Sequence, residues 1–421
     1  MPTPTALGFD FGTTNSAMAL SDGGSGRARV TRTFRSVLYF DPDERGKDRR
    51  PLAVAGPHAI ERYLAGDGSG RLIQSLKSYL ASRQFRATSV FGITYTLEDL
   101  IALIVRDLRV QARSELGAEL PGHVVVGRPV RFAGEESDQE YALARLRQAL
   151  LAGGFESVDF EYEPVAAAWH YESSLDHDEL VLIADFGGGT SDFCLVRVGP
   201  GVRARGRSAS DILGTEGVAL AGDAFDARIL RQRVAPALGK GTTYVSHGKS
   251  MPVPPWLYSH LERWHHLSFL KSKETQKLLD DIQRECSAPE KLAALAHLID
   301  ADLGYQLYRS VEKTKLELSA RADAPFAFDD DPIQIRAQVA RVDFEAWIAD
   351  ELAAIAGCVD RLLDRTGVAA AEVDRVFMTG GSSLVPSVRA LFVQRFGEAR
   401  LAGGDEMTSV ASGLALRAAG G

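Results

Sequence analysis

Cysteine is scarce in this chain. The three residues, Cys194, Cys286 and Cys358, are widely separated and have no Cys-x-x-Cys pairing or His neighbours at ligand spacing. Neither a disulfide framework nor a structural zinc site is expected, and a reducing cytoplasm is the expected setting. Long hydrophobic runs are missing as well: no stretch approaches the ~20 apolar residues that span a bilayer. The N-terminus has no basic segment followed by an apolar core, so neither export nor a membrane partner is expected. Excess positive charge is also lacking, with 48 Lys and Arg against 56 Asp and Glu and a formal charge of −8. That balance gives nucleic acid no electrostatic hold. What is present is a chain of 421 residues, 45% hydrophobic and 25% charged, long enough for a large core and more than one domain.

The chain repeats itself. Leu7-Gly8-Phe9-Asp10-Phe11-Gly12-Thr13-Thr14-Asn15-Ser16 superposes without gaps on Leu182-Ile183-Ala184-Asp185-Phe186-Gly187-Gly188-Gly189-Thr190-Ser191. Each copy is an apolar strand ending in Asp, a Gly-rich turn, and a second apolar strand, Ala17–Leu20 or Phe193–Val196, so each closes as a hairpin. Two similar lobes follow, 1–184 and 185–421. Val124–Val126 reads as a buried strand, 135–151 as an amphipathic helix, and Pro164–Tyr171 as a helix opening on proline. This alternation indicates α/β architecture. Further on, Gly199–Ser210 reads as a Gly- and Arg-rich loop and 256–319 as a long helical region with Pro289 near a helix start. Asp329-Asp330-Asp331-Pro332 reads as a separator before a last unit of strand (Val373–Met378), Gly turn (Gly380–Ser383) and helix (Pro386–Phe396).

A polyphosphate needs many short-range donors and close backbone approach, which Gly- and Thr-rich turns supply. The turns Gly12-Thr13-Thr14-Asn15 and Gly187-Gly188-Gly189-Thr190 have this composition, and Asp10 and Asp185 stand where carboxylates hold a hydrated Mg²⁺ beside phosphates. Either turn alone reads equally well as an Asp-capped hairpin; two copies half a chain apart argue for a shared site. Gly380-Gly381-Ser382 leads from a strand toward a helix, a place that favours an anion. Glu312, Lys315 and Ser319 fall on one helical face, which is either solvated or a ligand surface.

Together these segments resemble the actin, sugar kinase and heat-shock ATPase superfamily, and within it the ATPase domain of the seventy-kilodalton heat-shock (DnaK-like) chaperones. The resemblance covers nearly the whole chain. It rests on both hairpins, Glu163-Pro164-Val165-Ala166, Gly222-Asp223-Ala224-Phe225-Asp226, Glu312–Ser319, and Gly380-Gly381-Ser382 with Pro386. It implies an α/β, actin-like ATPase fold of two duplicated ribonuclease-H-like lobes around a nucleotide cleft, with ATP or ADP and Mg²⁺ as ligands. Thr13 and Thr14 would contact phosphates and Asp10 would reach Mg²⁺ through water. Asp185, Glu163 and Thr190 would surround the γ-phosphate and attacking water, with Asp192 assisting the metal. Lys77 would stabilise the transferring phosphoryl group, Gly380 and Gly381 would approach the α-phosphate and ribose, and Glu312, Lys315 and Ser319 would line the nucleoside pocket.

Several positions depart from the family pattern. Leu384 stands where an arginine commonly stacks on the base, and Pro129 matches a signalling position whose arginine partner has no clean counterpart between Gln139 and Arg145. The sequence stops where the chaperones continue into a peptide-binding domain, so that domain is expected to be absent. The helical region near 255–320 looks like an extension. Its His260 and His265 or His266 raise a metal site, for which an ordinary amphipathic helix is the simpler reading. The expectation is a slow, nucleotide-dependent ATPase switch of chaperone type with an unidentified protein partner or co-chaperone. A small-molecule kinase or an actin-like filament former on the same fold is the alternative.

Overall fold

The computed structural model describes the chain apart from residues 1–4, 23–25, 47–48, 67–68, 135–137, 264–266, 268–269, 405–406 and 421. It divides into two compact units: Met1–Gly222 with Ala353–Leu384 and Val388–Gly421, and Asp223–Leu352 with Val385–Ser387.

Two sheets form the frame of the first unit. One is built from β1 (Ala6–Phe11), β2 (Asn15–Ser21), β3 (Ala28–Val30), β4 (His123–Arg128) and β5 (Ser157–Tyr162), with the two-residue strand Phe34–Arg35 also pairing with β2 off this path. The other comprises β6 (Glu179–Phe186), β7 (Ser191–Val198), β8 (Ile212–Val218), β9 (Arg375–Thr379) and β10 (Leu401–Gly403). Their spatial orders are β3-β2-β1-β4-β5 and β8-β7-β6-β9-β10, the same path with the same senses. In each, the first three strands form an antiparallel meander and the last two join parallel to the central strand. The duplicated hairpins are thus the centres of two copies of one sheet. A hairpin needs only a tight turn, whereas the parallel pairings need long crossovers, and helices supply much of these. β6 is buried along its whole length, in keeping with its unbroken run Leu180–Ala184.

The helices 97–116 and 139–152 cover the first sheet, their apolar faces joining Leu7, Phe9, Val124 and Val126 in one core. The helix Glu163–Glu172 opens on Pro164 as its sequence indicates. The helix expected at 135–151 begins at Gln139, where the Asp138 carboxylate accepts from the Tyr141 N–H; residues 135–137 lie outside the described residues. Two expectations are corrected. Gly199–Ser210 is not simply a loop, because Pro200–Arg205 forms a short helix that ends where the Arg205 guanidinium binds Asp211. Asp329–Pro332 does not separate domains but turns the hairpin Asp323–Asp330/Ile333–Ala340, whose alternation of Phe326 and Phe328 with Ile333 and Ile335 buries one face. The segment after Ala411 belongs to a buried helix, Ser409–Gly420.

That last helix lies very close to β1 and to the helix Glu163–Glu172. A Cβ on Gly8 would fall 2.3 Å from the Ala415 nitrogen, and one on Gly413 would fall 1.7 Å from the Ala166 carbonyl oxygen. Small residues here set the spacing between the helix bearing Glu163 and the strand bearing Asp10.

The second unit is largely helical: Pro255–Leu261, Lys273–Arg284, Pro289–Asp300 and Gly304–Ala320 follow in order, with Pro289 in the first turn of its helix as expected. Gly413→Val should destabilise the protein by about 1–3 kcal/mol or more, since the added methyls meet backbone that cannot retreat. Urea unfolding of the variant against wild type measures this, and an unchanged midpoint would show that the helix is not held at this distance.

Candidate nucleotide and metal site

At the ends of the central strands, the first unit gathers charges that apolar surroundings cannot tolerate unpaired. Lys77 lies in a single 3-10 turn, Leu76–Tyr79, after Ser75 has taken the left-handed conformation at φ 54°. Its ammonium is 7% exposed and donates to Glu163 Oε1 at 2.6 Å. Glu163 is the first residue of its helix and packs over β4: a Cβ on Gly127 would come within 3.0 Å of its Cγ. A lysine that sequence alone allows to be an exposed helical residue is therefore half of a buried ion pair.

Three aspartates complete the group. Asp10 is the penultimate residue of β1 and Asp185 of β6, the same place in the two sheets. Across each hairpin the partner of Asp10 is Ala17, while the partner of Asp185 is Asp192. The second copy thus carries an extra carboxylate at a position the first fills with a methyl. Asp192 is 1% exposed; its Oδ1 accepts from the Val130 N–H at 2.7 Å, and a Cβ on Gly217 would crowd that oxygen at 2.7 Å. Val130 and Gly217 thus flank this acid, and no sequence motif marks either. A glycine facing the acid across the sheet is the signal that was available.

The charges interact strongly. Burial, then the Glu163 carboxylate, push Asp10 up to about 7, against the opposing pull of Lys77. Asp192 is likewise pushed up to about 7, by burial first and Glu163 second, although hydrogen bonds from Thr190 and Val130 favour its anion. Burial and the surrounding carboxylates of Glu163, Asp10 and Asp192 raise Asp185 well above the ordinary range. Burial works against the Lys77 ammonium, but Glu163, Asp10 and Asp192 outweigh it and its pKa is raised. Lysine stays charged while the aspartates hold protons readily.

The two Gly turns meet beside this group. Gly187 N–H donates to the Thr190 carbonyl at 2.9 Å, and a Cβ on Gly189 would stand 3.6 Å from Thr13 Oγ1, filling the space between the turns. Gly12, Thr13, Thr14, Asn15, Gly188 and Thr190 are all partly exposed here. The third turn packs beneath them: Gly380, at φ 81°, lies where a Cβ would strike the Phe186 carbonyl oxygen at 2.1 Å, so only glycine fits. Ser382 is buried and Gly381 exposed, with Ser383 Oγ donating to the Gly380 carbonyl at 2.7 Å.

The remaining candidates belong to the second unit. Glu312, Lys315 and Ser319 share a half-buried face of Gly304–Ala320. Lys315 Nζ is 2.8 Å from Asp226 Oδ2, joining two of the motifs quoted above. Among the described residues His260 joins no group of metal-ligating side chains, and its Nδ1 is 2.9 Å from the Trp256 carbonyl within a short helix; His265 and His266 lie outside the described residues. Leu384 is exposed.

Among the described residues, no three His, Cys, Asp or Glu side chains converge as a direct metal-binding group. A hydrated Mg²⁺ nevertheless fits the donor set. It retains most of its waters and asks for only one or two nearby carboxylates, and Asp10, Asp185 and Asp192 offer hard oxygens whose mutual repulsion a cation relieves.

A family model described as "Hsp70 protein" matches residues 6–237 and 294–419. Chaperone protein DnaK of Deinococcus proteolyticus is 26% identical over 441 residues, covering 98% of this chain and 59% of its own length. The proteins of the same name from Deinococcus deserti and Deinococcus radiodurans are each 26% identical over 440 residues with the same coverage. The chain therefore spans about three fifths of the length of these relatives. The family match leaves out 238–293, which contains the hairpin Thr243–Ser246/Lys249–Pro252 and the helix Lys273–Arg284.

The displaced aspartate pKa gives a signed prediction for the ligand-free protein. Below the ordinary carboxylate value of 3.8, Asp192 is protonated in both the native and unfolded chain. From there to about 7 the unfolded chain releases the proton and the native state keeps it, so stability falls as pH rises and then levels off. Asp192→Asn keeps the acceptor for Val130 N–H and removes the charge. Its melting temperature should exceed wild type at pH 8, and the difference should close toward pH 4. An offset independent of pH would contradict the assignment.

Proposed function

Because the chain belongs to the Hsp70 protein family, whose fold is actin-like, we propose that it binds ATP and ADP with Mg²⁺ and hydrolyses ATP slowly, its nucleotide state serving as a switch read by a protein partner. The observation that carries this reading is the buried Lys77–Glu163 pair among Asp10, Asp185 and Asp192, beside two facing Gly turns.

Each residue has a role that follows from its surroundings. Lys77, kept charged, donates toward the γ-phosphoryl oxygens as negative charge shifts in the transition state. Glu163 holds that ammonium in one orientation. Asp185, as the carboxylate, accepts the proton of the attacking water as its oxygen bonds to the γ-phosphorus and the bridging oxygen departs with ADP. Asp10 and Asp192 would hold a hydrated Mg²⁺ through its waters, and the ion would supply neutralisation of phosphate charge. Backbone N–H groups of Gly12–Asn15 and Gly187–Gly189, with the Thr13, Thr14 and Thr190 hydroxyls, hold the phosphates. Gly380, Gly381 and Ser382 serve the α-phosphate and ribose, and Glu312, Lys315 and Ser319 serve the nucleoside. Leu384 can offer the base only apolar packing.

A small-molecule kinase and a filament former are not favoured by the relatives found. The free thiols of Cys194, Cys286 and Cys358 accord with a reducing, cytoplasmic setting. Among the described residues no helix is long and apolar enough to cross a membrane.

Two measurements test the proposal. Mg²⁺ with ADP or ATP should raise the melting temperature, a ligand at ~100 times its Kd contributing about 2.7 kcal/mol to the native state; no shift at millimolar nucleotide would remove the reading. Asp185→Asn and Lys77→Ala should each slow ATP hydrolysis at least tenfold while ADP affinity stays close to wild type. Wild-type turnover in either variant would remove that residue from the reaction.

A further inference from the structure

We propose that Arg145 and Glu98 are positioning residues for Lys77, a buried guanidinium–carboxylate pair that holds the main chain following Lys77 and thereby fixes where its ammonium points. The proposal rests on Lys77 serving the γ-phosphate.

The turn bearing Lys77 has little hold of its own. It is one turn long, it follows a serine in the left-handed region, and the bonds at its two ends are Ser78 N–H to Ser75 carbonyl at 3.1 Å and Leu80 N–H to Lys77 carbonyl at 3.2 Å. The chain beyond it is held from outside. Arg145 Nη1 donates toward three carbonyl oxygens in this stretch, those of Tyr79 at 3.3 Å, Leu80 at 3.5 Å and Ser82 at 3.2 Å. The other edge of the same guanidinium engages Glu98, with Nε to Oε1 at 2.5 Å and Nη2 to Oε2 at 3.4 Å. Arg145 is 4% exposed. Only a planar fork with five donors can serve a carboxylate and a row of carbonyls together, and lysine cannot.

A second contact pins the far end of the segment to the same helix. Arg83 reaches the Asp138 carboxylate with Nε at 3.1 Å and Nη2 at 2.5 Å, and Asp138 caps the helix Gln139–Ala152 that carries Arg145. The guanidinium carbons of Arg83 and Arg145 lie 4.7 and 5.2 Å from the centre of the Tyr141 ring. At its start the same helix presents Gln139 Oε1 to the Phe132 N–H at 3.0 Å, two residues beyond the Val130 N–H that binds Asp192. One helix therefore touches the chain behind both the lysine and an aspartate of the site. A buried ion pair is a poor stabiliser compared with apolar packing, so geometry is the stronger reason for this one.

The test separates position from fold. Arg145→Gln should lower kcat at saturating Mg²⁺·ATP about tenfold or more, since small displacements of a catalytic group carry such losses, while the Kd for Mg²⁺·ADP changes less than threefold. Arg145→Lys should recover only part of the loss. In a Lys77→Ala background, Arg145→Gln should cost nothing further. Amide hydrogen exchange across residues 76–82 should rise in Arg145→Gln with the rest of the chain unchanged. Should Arg145→Gln fail to fold, Glu98→Gln, which loosens the fork from its carboxylate, takes its place in every arm. A kcat within twofold of wild type, or an equal loss with and without Lys77, would overturn the proposal. Wild-type protein with no ATPase activity would instead sink the functional reading; unchanged exchange at 76–82 would then sink the clamp by itself.

Discussion

Four carboxylates and one ammonium share a place from which water is largely excluded, and the surrounding structure is shaped by that constraint. Desolvation alone makes an isolated buried anion untenable, so Glu163 takes the lysine and the aspartates shift toward their neutral forms. The arrangement is poorly suited to an empty protein and well suited to one that binds a hydrated cation, whose charge offsets the excess carboxylates and lets a polyphosphate approach. Stability has been given up here for a preorganised site, in line with the way perturbed pKa values gather at functional residues.

The duplicated sheet explains how so many acids come together. Each copy carries Asp as the penultimate residue of its central strand and turns on glycine, and the turns face each other through Thr13 and Gly189. The copies are not equivalent. Ala17 in one hairpin answers to Asp192 in the other, and the helix Glu163–Glu172 and the turn at Lys77 add the remaining charges. Small residues make the close approach possible: Gly8 and Gly413 let the last helix press against both the strand of Asp10 and the helix of Glu163.

Much of this was legible in the sequence because it is local. The hairpins, the helix opening on Pro164, the Pro289 helix start and the Gly380 turn are each written in a few consecutive residues. The contacts between distant residues were not. Nothing in Ser75-Leu76-Lys77 distinguishes an exposed lysine from one buried on Glu163, and nothing local to Arg145 shows that it reaches the carbonyls of Tyr79, Leu80 and Ser82, far away in sequence. The helix Ser409–Gly420 escaped notice because its small residues give little amphipathic contrast. Its Gly and Ala positions were nonetheless the signal of close packing. Asp329–Pro332 misled for the opposite reason, its composition suggesting a linker where flanking period-two alternation makes a hairpin.

The central claim is that aspartates held partly protonated by burial give up those protons as a hydrated cation arrives with the phosphates it bridges to the protein. Calorimetric titration of Mg²⁺·ADP at pH 7, repeated in buffers of different ionisation enthalpy, counts the protons exchanged on binding. Asp10 and Asp192, each near its midpoint at that pH, should lose protons as the cation arrives, so the account predicts net proton release that diminishes by pH 8.5. Binding with no proton exchange at pH 7, or with net uptake, would contradict it.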